Sequence, residues 1–134
     1  MTYQIFTDGA CRGNPGPSGI GVVIFDKDGK VVHEIAKYIG TVTNNVAEYK
    51  ALIAGLDYCV KHKIAPLEIL ADSQLLIRQL TGEYKVKHEN IKPLYAEVQA
   101  HLKHLKVTGF KHVMREFNQH ADRLANEGID DHLG

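Results

Sequence analysis

Tryptophan is absent from this chain, cysteine occurs only twice, and no stretch of about 18 consecutive apolar residues is present. No membrane span is therefore expected. The opening Met1-Thr2-Tyr3-Gln4 lacks a basic region followed by an apolar stretch, which argues against a secretory signal. Cys11 and Cys59 are expected to remain thiols in a reducing cytoplasm. Cys59 and His62 are spaced as helix neighbours, but two ligands without a second pair are a weak zinc signature. Net charge is lacking too, at +0. Acids gathered in one site would leave the remaining surface positive, and Lys85, Lys87, His88 and Lys92 cluster in one segment. The charge sum therefore neither supports nor excludes a polyanionic partner.

What is present fits one domain over residues 1–134, long enough to bury roughly two-thirds of its unfolded surface. Tyr3 to Thr7 has the character of a short strand ending at Asp8. A loop rich in Gly and Pro follows, through Gly19, letting backbone come close to a ligand. Ile20 to Phe25 suits a buried strand, Asp26 to Gly29 a turn, and Lys30 to Tyr38 a third strand completing an antiparallel meander. The apolar spacing then changes. Tyr49, Leu52, Ile53, Leu56 and Val60 make a helical stripe ending near Lys61-His62-Lys63, behind candidate caps Thr43, Asn44 and Asn45. Leu67 to Ala71 is a strand, Ser73 to Leu80 a short helix, and Asn90 to Leu105 another. Phe110 to Arg115 is the last strand and Ala121 to Glu127 the last helix, with Gly128 to Gly134 a loosely held tail. Met114 and the aromatic residues have the character of core. The order predicts an α/β fold with a five-stranded mixed sheet, the meander plus parallel strands, flanked by helices.

Four acids, Asp8, Glu48, Asp72 and Asp122, sit where elements meet. Each has an ordinary structural account: a turn, a capping box with Asn45, an N-cap, a helix-dipole partner. Together they can converge on one rim, beyond the carboxyl ends of parallel strands. Four close carboxylates repel unless cations neutralise them, and an all-oxygen set favours Mg²⁺ or Mn²⁺ over zinc. Such a site suits phosphodiester hydrolysis with paired metal ions.

The blocks around these acids carry a family resemblance. They are Thr7-Asp8-Gly9-Ala10 with Gly13-Asn14-Pro15-Gly16-Pro17, Thr43-Asn44-Asn45-Val46-Ala47-Glu48, Asp72-Ser73-Gln74, and Ala121-Asp122-Arg123-Leu124-Ala125. In this order, over nearly the whole chain, they resemble type 1 ribonuclease H. The resemblance implies that Asp8, Glu48, Asp72 and Asp122 bind two Mg²⁺ ions, with Mn²⁺ as substitute. It implies that an RNA–DNA hybrid is the substrate, its RNA strand cut to leave 5′-phosphate and 3′-hydroxyl ends; a monomer is expected. Asp8 would contact both ions, Asp72 the water-activating one and Glu48 the other, with Asp122 the more mobile ligand. Gly9, Ala10 and Cys11, with Glu48, would meet the ribose 2′-hydroxyl. Asn14, Asn45 and Gln74 would touch base edges or sugars, and Thr43 a phosphate of the DNA strand. Turn and cap chemistry accounts equally well for Asn14 and Asn45.

The chain departs from the family pattern in two places. No His occupies the loop before Asp122, where many members carry one; His120 would face another direction from Asp122, and Arg115 is the expected substitute. The basic, Trp-containing helix of several relatives is also missing. Tyr84, Lys85, Lys87 and His88 would then offer a reduced phosphate contact, with weak and salt-sensitive binding. The leading expectation is an endoribonuclease. The exonucleases of this fold have an Asp-x-Glu signature, where this chain has Asp8-Gly9-Ala10. A non-catalytic module binding hybrid or double-stranded RNA, and a structural domain, are the other readings.

Overall fold

A computed structural model describes residues 2–134. Five strands form one mixed sheet: β1 (Tyr3–Cys11), β2 (Gly16–Phe25), β3 (Val31–Val42), β4 (Leu67–Ala71) and β5 (Val107–His112). Their order across the sheet is β3-β2-β1-β4-β5. The first three pair antiparallel, while β4 runs parallel to both β1 and β5. Four helices complete the chain: α1 (Asn44–Lys61), α2 (Gln74–Leu80), α3 (Lys92–Leu102) and α4 (Gln119–Leu133). A short 3-10 turn at Arg115–Phe117 precedes α4. Among the described residues no helix is long and apolar enough to cross a membrane.

Alternation along β1, β2 and β4 sends residues to two faces. Ile5, Val22, Ile24, Leu67 and Ile69 pack with Tyr49, Leu52 and Leu56 of α1 and Val98 of α3. The other face carries α4, whose Ala121, Leu124, Ala125 and Ile129 are buried. The meander and the parallel pairing are as predicted, but several boundaries move. β1 runs on through Asp8 to Cys11, because Asp8 to Cys11 keep their rungs with β2. Its ladder with β4 stops at Thr7↔Ala71. Asp8 is thus one residue past the end of the parallel pairing, not the end of the strand.

Glycines in β1 and β2 make room for helices. A Cβ on Gly9 would lie 2.4 Å from the Ala47 carbonyl carbon on α1, and one on Gly21 would lie 1.9 Å from the Ala121 oxygen on α4. β5 begins earlier than expected, at Val107, and ends at His112. Cys59, and not Val60, completes the fully buried stripe of α1. Helix α3 is shorter than predicted, and α4 is longer. The supposed loose tail is helical to Leu133, with Ile129 fully buried. Met114 and Phe117 are 60% and 70% exposed, so neither belongs to the core.

Candidate active site

The site forms where the β1–β4 ladder ends. Asp8 stays in β1 opposite Gly21, and Asp72 directly follows Ala71, the last residue of β4. Thr43 caps α1, its Oγ1 accepting from the Val46 N–H at 3.4 Å. That start sets Glu48 over β1, where its Oε1 accepts a hydrogen bond from the Gly9 N–H at 2.9 Å. Glu48 is therefore held by the strand and forms no capping box. Asp122 lies in the first turn of α4, with its N–H donating to the Asn118 carbonyl at 3.1 Å.

Ligand oxygens of Asp8, Glu48 and Asp72 all lie within 4.8 Å of one another. Asp8 is 5% exposed. Burial first, then the negative charges of Glu48 and Asp72, push its carboxyl up to about 9. Glu48 is pushed up to about 8, again mainly by burial and then by Asp72. The Gly9 N–H and the Arg115 guanidinium oppose that rise. A cluster of mutually repelling acids at the end of a sheet is the donor chemistry of a hard divalent cation. The residues fit Mg²⁺ or Mn²⁺.

A cleft of about 450 Å³ collects these groups. It is lined by Asp8, Gly9, Ala10, Cys11, Asn45, Glu48, Asp72, Arg115 and Asp122, all named from sequence. Asn14, Thr43 and Gln74 lie outside its lining. Asn14 Oδ1 accepts from the Asn44 N–H at 3.0 Å, Thr43 is occupied as a cap, and Gln74 is the exposed first residue of α2. Asn44, Ser73 and Asn126 line the cleft but were missed. Asn44 and Ser73 sit inside the motif blocks, next to residues that were chosen. Asn126 carried a usable signal, one helical turn beyond Asp122, and its Nδ2 donates to the Asp122 carbonyl at 3.0 Å. A larger, shallower recess of about 650 Å³ lies alongside, sharing Arg115 and Asp122 with the cleft. The acids assign the chemistry to the smaller one.

The other sequence candidates are elsewhere. His120 bonds Glu34 and meets the Phe25 ring edge-on at 5.8 Å. Burial pushes the Cys59 thiol up to about 12, and His62 stacks on Tyr58 at 4.0 Å. Among the described residues, Asp8, Glu48 and Asp72 form the one group of three or more potential metal ligands.

Comparison with known proteins agrees with this geometry. The family described as reverse transcriptase-like matches residues 6–128. A bifunctional protein of Mycobacterium tuberculosis is 44% identical over 131 residues; the match covers 97% of this chain but 36% of that protein. Ribonuclease HI of Halobacterium salinarum is 40% identical, over 94% of this chain and 63% of the relative. Thus the chain spans about a third to two-thirds of the length of these relatives. Among solved structures, an LC11 ribonuclease H1 in complex with an RNA/DNA hybrid superposes with a TM-score of 0.93 at 43% identity. That match covers 99% of this chain and 100% of the other. With the fold, the acid cluster and the sequence all in agreement, the chain belongs to the ribonuclease H family, in its type 1 branch.

Proposed function

We propose that residues 1–134 act as a single metal-dependent endoribonuclease domain that hydrolyses the RNA strand of RNA–DNA hybrids, leaving 5′-phosphate and 3′-hydroxyl ends. The observation that carries this reading is the close approach of Asp8, Glu48 and Asp72 in a cleft that Arg115 and Asp122 also line. Asp8, Glu48, Asp72 and Asp122 would hold two Mg²⁺ ions, with Mn²⁺ as a substitute. Such a pair, when bound, activates a water and stabilises the leaving oxygen.

The chain's own groups do the remainder. Asp8, the most buried acid, anchors the site from a rigid strand. Glu48 is oriented by the Gly9 N–H and can accept a hydrogen bond from a ribose 2′-hydroxyl, the group that separates RNA from DNA. Ala10 and Cys11 continue the wall beside it, and Asn45 projects from the start of α1 to the minor-groove side. Asn14, Thr43 and Gln74, set back from the cleft, serve the flanking nucleotides. Arg115 is the cation that meets the phosphate, in the place of a loop histidine.

Labelled hybrid, incubated with Mg²⁺ or Mn²⁺, tests the proposal. Wild type should cut it while Asp8→Asn and Asp72→Asn do not. Equal cleavage by these variants would remove the acids from the mechanism. Circular or end-blocked hybrids should still be cut, as an endonuclease requires. Double-stranded RNA in a parallel reaction measures how far the specificity extends.

A further inference from the structure

Asn118 was not singled out from the sequence, yet its side chain joins the strand of Asp8 to the carboxylate of Asp72. It is 1% exposed, at the junction of the 3-10 turn and α4. Its Nδ2 donates to the Thr7 carbonyl at 2.9 Å and to Asp72 Oδ2 at 3.1 Å. Thr7 immediately precedes Asp8. The backbone of Asn118 takes up the other side of the site. Its carbonyl accepts from the Asp122 N–H at 3.1 Å, and its own N–H donates to the Arg115 carbonyl at 2.9 Å. One residue is thus bonded to the strand of Asp8, the carboxylate of Asp72, the helix start of Asp122 and the turn of Arg115.

The amide orientation is set by its partners. The main-chain carbonyl of Thr7 can only accept, so a flipped amide would set oxygen against oxygen there. Both hydrogens of the NH₂ are thereby used. Oδ1 is buried and has no partner. An orphaned acceptor of this kind is unfavourable, because it has given up water and gained no partner. A residue that served packing alone would fill the space without that cost.

We propose that Asn118 is a positioning residue for the hydrolysis: its amide ties Asp72 to β1, so that the Asp72 and Asp8 carboxylates face the cations at a fixed separation. It acts through Asp72 and does not touch the substrate. This inference rests on the metal-dependent reading above. Groups that orient metal ligands typically change metal affinity or activity by about 10–100-fold when removed.

The test compares Asn118→Ala with Asn118→Asp, which keeps the side-chain volume but replaces the two donors with an oxygen. Calorimetric titration of the protein with Mn²⁺, without nucleic acid, should show affinity weakened by about 10–100-fold in both. With saturating metal, kcat on the hybrid should fall by a comparable factor while KM stays within about threefold, because ground-state substrate contacts are untouched. Metal affinity and kcat equal to wild type in a folded variant would overturn the proposal, even with a lower Tm. So would a change confined to KM. Failure of both variants to fold would make Asn118 a structural brace, which also overturns it. A wild-type protein that binds Mn²⁺ yet cuts no hybrid would instead sink the proposed function, and the metal titration would still decide the part played by Asn118.

Discussion

Asp8 and Glu48 couple the site to the stability of the metal-free protein. Asp8 goes from an ordinary 3.8 to about 9 on folding, and Glu48 from 4.5 to about 8. Between those limits the folded chain keeps protons that the unfolded chain has released. Stability is therefore full below about pH 4 with respect to these two groups. It declines as pH rises, and the decline is complete once pH passes about 8 for Glu48 and about 9 for Asp8. Urea denaturation in chelator should give a lower midpoint at pH 9 than at pH 5. Divalent cations should oppose the loss by stabilising the ionised carboxylates and by binding only the folded state. Asp8→Asn should flatten the pH dependence and raise metal-free stability at pH 8, while abolishing cleavage. A midpoint that rises with pH would contradict this account. Glu48→Gln separates charge from geometry, since its amide oxygen can still accept from Gly9. Its metal-free Tm at pH 8 should rise, as for Asp8→Asn, while hybrid cleavage falls by at least about 100-fold.

At the level of elements, small residues set where the helices sit. Gly21 lets α4 cross β2 so closely that a Cβ would meet the Ala121 oxygen at 1.9 Å and the Ala125 nitrogen at 2.6 Å. Gly21→Ala should cost about 1–3 kcal/mol through overpacking. Because Ala121 adjoins Asp122, activity per folded molecule should fall as well. Gly29→Ala provides the contrast. Gly29 has φ of +80° in the β2–β3 turn, with nothing near its missing Cβ, so the substitution should cost about 1 kcal/mol and leave cleavage unchanged. Thermal melts and single-turnover rates on the two variants check the distinction. The same principle explains why the end of the chain was misread. Gly128 looks like a helix stop, but a Cβ there would lie 2.6 Å from the Lys37 backbone, so the residue is small to let α4 pass β3. The helix continues and buries Ile129. Truncation after Glu127 should therefore cost about 2–5 kcal/mol, seen as a lower denaturation midpoint, where a loose tail would cost nothing.

Over the whole molecule, a net charge of +0 hides an uneven distribution, with acids in the cleft and Lys85, Lys87 and His88 exposed between α2 and α3. Hybrid binding should weaken steeply between about 50 and 200 mM salt, and Lys85→Glu with Lys87→Glu should raise KM with little change in kcat. A KM indifferent to both would remove that segment from the interface. The alternation of apolar residues, the change to helical spacing after Thr43 and the four acid-bearing motif blocks were enough to establish element order, sheet class and which acids gather in the cleft. These are properties of local pattern and of residue chemistry. Tertiary structure decided which residues support the acids. Asn118 reaches Thr7 across 111 positions and Asp72 across 46, and nothing local marks an asparagine that will meet two distant acceptors. It also decided that Gly9 makes room for α1 and Gly21 for α4. A glycine records only that a side chain is absent; what occupies the space is fixed by elements brought together when the chain folds.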